Sequence, residues 1–237
     1  GFTFGGNYTL SHCISPYADI NSNGPPANET YTKPNDRDFD RGNCYSDRRH
    51  IFNFTAVAQT PRFSNRRVNM WATNWRVSGI YRWSSGAPIN VVSGTDNALS
   101  GTSLQRANQI LPNPYKDRSN RPYAQWINPA AFAVPAPGTY GNVGWNSLTG
   151  PSTWSLDTAL SRTFNIHEMQ KLEVRAEAFN LTNSFIPAGL GGAATTANIT
   201  GSGATGNSLA VNNTNTFGQI RFAQPPRILQ FALKYLF

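Results

Sequence analysis

The residues best suited to bind a metal ion are three aspartates at alternate positions, Asp36, Asp38 and Asp40. Alternating carboxylates are typical of calcium loops, because hard cations take several oxygen ligands. Arg37 and Arg41 interleave with them, however, and neither the Gly nor the bidentate Glu of an EF-hand follows at the required spacing. The favoured interpretation is therefore a solvated loop, and we predict no metal site. Calcium binding by these three aspartates remains an open alternative.

The sequence gives little support for catalysis. Its three histidines, His12, His50 and His167, lack the i, i+4 partner of a helical metal site. We expect His12 and His50 to occupy polar positions at the ends of adjacent strands. Nucleophile-elbow, phosphate-loop and dinucleotide motifs do not occur. We therefore predict a protein that is not an enzyme, with no catalytic residues and no cofactor.

Composition favours an all-β protein with long polar loops. Charged residues make up 14% of the chain, against about 25% in a typical soluble domain. Aromatic residues reach 12%, and there are 20 Gly and 16 Pro. No segment approaches the roughly 20 apolar residues of a membrane helix. The net charge is +8, but no nucleic-acid-binding motif accompanies the arginines, so we expect no nucleic-acid partner.

Six segments alternate between apolar and polar residues, with the period of two that a β-strand with one apolar face requires. They are Gly1–His12, Arg49–Thr60, Thr73–Ser84, Ser152–Phe164, Lys171–Asn183 and Arg227–Phe237. The third strand is expected to run on through Gly86 and Pro88 into Ile89–Ser93.

The connections between these segments alternate in length. Cys13–Arg48, Gly94–Pro151 and Ser184–Pro226 are long, whereas Pro61–Ala72 and Asn165–Gln170 are short. Bacterial outer-membrane barrels show this asymmetry, with short periplasmic turns and longer extracellular loops. The sequence thus predicts an all-β fold, an antiparallel up-and-down transmembrane β-barrel segment of about six long strands.

The long connections exceed the usual loop length, so they are functional, disordered, or hide short strands. Within the last of them, the low-complexity segment Gly189–Gly206 should be mobile.

In a barrel the apolar face of each strand meets lipid and the polar face lines the lumen. The predicted lipid-facing residues are Trp75, Val77, Tyr81, Trp83, Leu229, Phe231, Leu233, Tyr235 and Phe237. The predicted lumen-facing residues are Arg76, Arg82, Asp157, Glu173, Arg175, Glu177 and Lys234. In a soluble sandwich the second set would simply be the solvated face, but the alternating loop lengths favour a lumen.

Several motifs, in this order, resemble one family. They are Asp47–Phe52 (DRRHIF), Trp75–Tyr81 (WRVSGIY), Trp126–Gly144 (WINPAAFAVPAPGTYGNVG), Asn146–Pro151 (NSLTGP), Trp154–Asp157 (WSLD), Arg175–Asn183 (RAEAFNLTN) and Pro226–Phe237 (PRILQFALKYLF). Together they resemble the C-terminal barrel region of Oar-like TonB-dependent outer-membrane receptors, which carry a carboxypeptidase-regulatory-like domain at the N-terminus. The resemblance covers essentially the whole chain, and its specificity lies in the order and spacing of the motifs.

The resemblance implies a protein of the cell outer membrane. Such receptors close about 22 strands around an N-terminal plug and carry a TonB box for energy coupling. This chain shows six strands without plug or TonB box, so residues 1–237 are expected to be the C-terminal part of a barrel domain, with the plug and N-terminal domains absent. The implied partners are outer-membrane lipid, the rest of the barrel and its plug, and TonB-type coupling only through the missing N-terminal part.

Two further expectations concern Cys13, Cys44 and the C-terminus. These two cysteines bracket a long loop and would lie in an oxidising compartment, so we predict a disulfide between them. Arg227–Phe237 resembles the signal read by the barrel-assembly machinery. We expect it to be the closing strand, beside Lys171–Asn183 and, in the intact protein, the first strand of the barrel.

Three functions remain open at this point. The first is part of the wall of a TonB-dependent receptor that takes up an unidentified ligand. The second is a structural or adhesive extracellular β-protein that acts through its long Asn/Gly-rich loops. The third is a small, self-contained outer-membrane barrel. Dependence on detergent separates the second from the others, and a plug with a TonB box belongs only to the first.

Overall fold

The computed structural model describes residues 1–15, 32–101, 105–116, 125–166, 170–190, 197–198, 208–211 and 216–237. Its main feature is one sheet of six long strands in sequential order. The strands are β1 (Phe2–Leu10), β2 (His50–Gln59), β3 (Trp75–Ser84), β4 (Thr153–Asn165), β5 (Lys171–Phe179) and β6 (Ile228–Leu236). Every neighbouring pair is antiparallel, so the predicted up-and-down strand arrangement is confirmed.

Because the strands are sequential and antiparallel, their connections alternate between the two ends of the sheet. The β2–β3 and β4–β5 connections lie at one end, called here the short-turn end. The three long connections lie at the other, the long-loop end. This division agrees with the one predicted from loop lengths.

The β2–β3 connection contains an α-helix, α1 (Arg66–Ala72). The side chain of Asn65 caps it by accepting hydrogen bonds from the amides of Arg67 and Val68. Asn74 then takes a left-handed conformation with φ of 63° before β3 begins, as Asn does more readily than most residues. None of the described helices is long and apolar enough to cross a membrane.

The predicted extension of β3 is wrong. The strand ends at Ser84, and Pro88–Val92 forms a separate strand, antiparallel to Leu148–Thr149 and parallel to Ser208–Ala210. Gly86 lies between these two strands, and a Cβ atom there would lie only 1.8 Å from the carbonyl oxygen of Gly150. Glycine in an extended segment is typical of such a close approach between two backbones.

β5 is also shorter than the predicted segment Lys171–Asn183. It ends at Phe179 because Asn180 and Asn183 both have positive φ, 51° and 50°. The Asn180 side chain accepts a hydrogen bond from the Ser184 amide and donates one to its carbonyl oxygen. This local bonding replaces the ladder bonds that a longer strand would make.

The long connections hide short elements, one of the three outcomes predicted for them. The strands are Ile14–Ser15, Gly42–Asn43, Pro88–Val92, Asn108–Gln109, Phe132–Ala133, Leu148–Thr149, Pro187–Leu190, Ala197–Asn198, Ser208–Ala210 and Ile220–Ala223, and the 3₁₀ helices are Arg37–Asp40 and Pro129–Ala131. Of the predicted mobile segment Gly189–Gly206, residues 191–196 and 199–206 lie outside the described residues, as does His167.

The hydrophobic core lies in these connections and not on the six-stranded sheet. Its buried members are Ala87, Ile89, Val91, Ala107, Trp126, Ile127, Ala131, Phe132, Val143, Leu148, Leu190, Leu209 and Phe217. We call the structure that they organise the cap. Among the described residues, Ala178 is the one buried hydrophobic residue of the six long strands. The cap therefore folds like a small globular unit, whereas the sheet has no core of its own.

Candidate functional site: the two faces of the sheet

The strand register sorts the predicted site residues onto two opposite faces. Pairs such as Phe54 with Tyr81, Leu160 with Val77 and Ala176 with Phe231 keep the apolar positions of neighbouring strands in line. The polar positions are equally in line on the other side, because successive side chains of a strand point to opposite faces. All seven charged residues predicted for the lumen fall on one face. The eight lipid-facing residues within strands fall on the other, and Phe237 follows at the end of β6.

An ion pair joins the central strands on the polar face. Arg82 Nη1 lies 3.0 Å from Asp157 Oδ2. The second oxygen of Asp157 accepts a hydrogen bond of 2.9 Å from the amide of Asn180. The carboxylate thus ties β3, β4 and the end of β5 together.

A second set of charges lies further along the polar face. Arg175 Nη2 is 2.7 Å from Glu177 Oε1, two residues along the same strand. Lys234 lies directly opposite Glu173 in the β5–β6 register, and Arg76 lies opposite Gln59 and Ser161. The face therefore carries fixed charges of both signs, an arrangement suited to water or a polar ligand.

Among the described residues, two cavities lie along this polar face. The larger, of about 300 Å³, lies at the long-loop end and is lined by Asn53, Arg82, Ser84 and Ser155, with Ile186 contributed by a loop. Its volume is at the lower end of the range usual for small-molecule sites. A smaller one of about 140 Å³ lies nearer the middle, beside Asp157, Arg175 and Glu177. Both cavities therefore involve charges that the sequence predicted for the lumen.

The apolar face is uncovered. Phe231 is 77% exposed, Leu233 71% and Phe4 66%, and even Val77 on a central strand is 49% exposed. A soluble monomer rarely exposes a contiguous apolar surface of this extent. The described residues of the chain do not cover this face. It can therefore be buried only by an apolar environment such as lipid or by further protein.

Aromatic side chains form two levels on the apolar face. Tyr8, Phe52, Trp83 and Trp154 lie side by side in register near the long-loop end. Trp75, Phe164 and Tyr235 lie near the short-turn end. Trp75 and Trp83 are eight residues apart on β3, or about 26 Å along the strand. Strands of outer-membrane barrels tilt by about 35–45°, so this separation spans about 20 Å across the membrane, somewhat less than the roughly 25 Å apolar band that aromatic girdles flank.

His50 extends the aromatic level at the long-loop end. Its Nδ1 atom is 2.7 Å from the hydroxyl oxygen of Tyr8, and its ring lies between those of Tyr8 and Trp83. His12 instead contacts the side-chain oxygen of Asn43 through Nε2, at 3.1 Å. The two histidines thus lie at the long-loop ends of adjacent strands and make polar contacts there.

A disulfide joins Cys13 to Cys44 within the first long connection, as predicted. Near it, the Asp47 carboxylate accepts hydrogen bonds from the Ser11 hydroxyl and the Cys13 amide, at 3.3 and 3.2 Å. These contacts hold both ends of the first long connection together above β1 and β2.

The three aspartates considered for calcium do not converge. Asp40 is fully buried and accepts a hydrogen bond of 2.6 Å from the Thr32 amide. Asp36 pairs instead with Lys33 at 2.9 Å, and that hydrogen bond lowers the pKa of its carboxyl group. Within the described part of the chain, no group of three or more His, Cys, Asp or Glu residues is placed to hold a metal ion.

A buried arginine lies between this loop and the cap. Arg106 is 5% exposed, and its guanidinium lies 3.5 Å from the centre of the Phe39 ring. Burial lowers the pKa of Arg106, and the nearby charges of Asp40 and Asp36 oppose that shift. This contact could not be predicted from the sequence, because its partners are far apart along the chain.

Arg162 was also missed, although the alternation itself contains the signal. It falls on the apolar face between Leu160 and Phe164, and only 9% of it is exposed. Its guanidinium lies over the rings of Phe164 and Trp75, at 4.6 and 5.3 Å, and donates a hydrogen bond to the carbonyl oxygen of Met70. A charge on this face is therefore covered by aromatic rings and by α1.

Comparison with known proteins agrees with this arrangement. A family model described as an outer membrane beta barrel domain matches residues 1–230. No curated protein and no solved structure matches the chain. The fold matches the family: antiparallel strands dominate, one large sheet carries an exposed apolar face, and helix is scarce. The chain therefore belongs to the outer membrane beta barrel domain family, and its location is the cell outer membrane.

Proposed function

We propose that this chain is part of the barrel wall of a TonB-dependent outer-membrane receptor that takes up an unidentified ligand. The observation that carries the proposal is the division of one sheet into an exposed apolar face and a charged face with two cavities. In this interpretation the first face contacts lipid. The second lines a lumen in which the Arg82–Asp157 pair and the neighbouring charges meet water, a plug or the ligand.

The open edges of the sheet support a large barrel over a small, self-contained one. β1 and β6 are exposed at every residue, and among the described residues no strand pairs with their outer edges. A membrane sheet must leave no edge open to lipid. Further strands from the rest of the protein would therefore complete the wall, with a plug inside it.

The energy-coupling step is tested with the full-length protein. We expect it to form a complex with the periplasmic domain of TonB in a pull-down, and to lose that complex when its N-terminal region is deleted. Reconstituted vesicles provide the second measurement, because a plugged receptor gives little ion conductance whereas an open barrel conducts. Absence of the TonB complex together with a steady open conductance would contradict the proposal and favour a channel-forming barrel.

The cap favours a second candidate, an adhesive function of the long loops. It has its own buried core, so it presents a folded surface instead of loose loops. A receptor would use that surface to capture ligand, whereas an adhesin would bind another surface with it. Replacing the cap residues 94–151 with a short linker separates the two. If the cap serves adhesion, adhesion is lost and TonB-dependent uptake is unchanged, whereas if the cap captures ligand for a receptor, uptake falls.

A further inference from the structure

The β2–β3 connection places α1 against the apolar face at the short-turn end. Trp75, an apolar-face residue, donates a hydrogen bond of 2.8 Å from its indole nitrogen to the carbonyl oxygen of Trp71. Arg162, on the same face, donates to the carbonyl oxygen of Met70. Two side chains of the apolar face thus donate hydrogen bonds to the C-terminal turn of the helix. Both lie at the aromatic level near the short-turn end.

The helix and the residues before it expose large apolar side chains. Trp71 is 70% exposed, Met70 60%, Val68 44% and Phe63 36%. All four lie within nine residues of each other in the sequence, beside an already exposed apolar face. These side chains therefore extend the exposed apolar surface of the sheet past its short-turn end.

Three exposed arginines, Arg62, Arg66 and Arg67, share this segment. No Asp or Glu occurs in the sequence between Asp47 and Asp96. Within the described residues, no carboxylate forms an ion pair with any of the three. On a helix, residues i and i+4 are neighbours, so Arg66 lies beside Met70 and Arg67 beside Trp71.

This segment interleaves basic residues with Trp and other large apolar residues at the border of an apolar surface. Such a composition is typical of a segment that lies in a lipid interface. We propose that the Arg62–Trp71 segment binds acidic phospholipid headgroups in the leaflet at the short-turn end. Arg62, Arg66 and Arg67 would contact the phosphates, while Met70 and Trp71 would enter the acyl region beside Trp75. The proposal depends on the apolar face being the lipid face, as in the proposed function.

Each arginine near an anionic membrane surface contributes attraction worth about a fivefold change in affinity. We therefore expect the triple substitution Arg62→Gln, Arg66→Gln and Arg67→Gln to weaken binding of phosphatidylglycerol by roughly a hundredfold. Binding of zwitterionic phosphatidylcholine should change little. The matched control removes three arginines from the long-loop side, as Arg41→Gln, Arg49→Gln and Arg221→Gln, and should retain the preference for phosphatidylglycerol.

The experiment uses the full-length protein in detergent, titrated separately with the two lipids and followed by native mass spectrometry. Heat-modifiable migration in a gel first verifies that each variant is a folded barrel. A folded triple variant that keeps the wild-type preference would overturn the inference, as would equal losses in the control or no preference in the wild type. If the protein has no heat-modifiable barrel form, both the membrane placement and this inference are overturned. If only the TonB complex fails to form, the proposed receptor function is contradicted but the lipid-binding inference stands.

Discussion

Arg82 and Asp157 form an ion pair across β3 and β4, at 3.0 Å, on the polar face of a sheet that has no core of its own. Asp157 also accepts the amide hydrogen of Asn180 at 2.9 Å, so one carboxylate joins three consecutive strands. The pair borders both cavities of that face. Its position makes it the best-defined point of the proposed lumen.

The first prediction concerns this carboxylate. Asp157→Ala should lower the free energy of unfolding by about 1–2 kcal/mol, because it removes a charge-assisted hydrogen bond to a backbone amide. The ion pair adds little to this figure, since Arg82 is half exposed. Urea unfolding of the full-length protein in detergent micelles measures the change. Ser155→Ala, one alternation away on the same strand and face, is the control, and an equal loss there would contradict the role assigned to Asp157.

The second prediction separates the two faces. Val77→Arg should destabilise the folded barrel by about 2–4 kcal/mol if Val77 lies near the middle of the lipid layer. Ser78→Arg, the next residue on the opposite face, should cost much less because its charge would meet water. Unfolding titrations in lipid vesicles measure both variants. A larger loss for Ser78→Arg would mean that the faces are inverted.

The third prediction concerns the disulfide between Cys13 and Cys44, whose positions differ by 31 residues. Closing a loop of this size stabilises by about 3–4 kcal/mol in the chain-entropy model. Reduction should therefore loosen the first long connection and speed its cleavage by trypsin, while the sheet stays folded. Peptide mapping before and after reduction measures this. Cleavage unchanged by reductant would show that the contacts of Asp47 suffice to hold the loop.

The fourth prediction tests which end of the sheet faces out of the cell. A cysteine at Val134, an exposed residue of the cap, should react with an impermeant maleimide on intact cells. A cysteine at Asn165, the last residue of β4 before the short turn to β5, should react only after the cells are opened, because short turns of such barrels face the periplasm. Equal labelling of both positions on intact cells would contradict the topology.

The alternation of apolar and polar residues made most of the sheet predictable from sequence. Each of the six long strands alternates with a period of two, with exceptions such as Arg162, and the register between strands follows once one face is apolar. The cap could not be predicted in this way. Its core joins Ile89 to Leu148 and Leu209, residues far apart in sequence, in short runs that show no period. The end of β3 could not be predicted for the same reason, since the backbone next to it at Gly86 packs closely against the distant Gly150.

The site was predictable to the extent that it follows the alternation. The charged residues of the polar face were found, but the partner of each charge depends on register. Arg162 was overlooked because an arginine on an apolar face contradicts the pattern. It is tolerated there by two aromatic rings and a helix carbonyl group, which lie in three different segments.

The last prediction concerns the C-terminal strand. Phe237 is 93% exposed and stacks on Tyr235, with ring centres 6.1 Å apart. If this end is read by the barrel-assembly machinery, deletion of Phe237 in the full-length protein should lower the amount in the outer membrane and leave synthesis unchanged. Quantitative blots of membrane and total fractions measure this, with Leu99→Ala in the cap as a control. Normal assembly of the deletion would remove the proposed signal.

The open edges of β1 and β6 have a consequence for any attempt to study this chain by itself. Each edge presents a row of backbone amide and carbonyl groups without partners among the described residues, and such edges act as templates for other strands. Two copies of the chain could satisfy them by joining β6 of one to β1 of the next, and continued addition would give ribbons that bury the apolar face by stacking. If further strands complete the wall in the intact protein, the chain expressed by itself is expected to polymerise, and lipid alone would not prevent it.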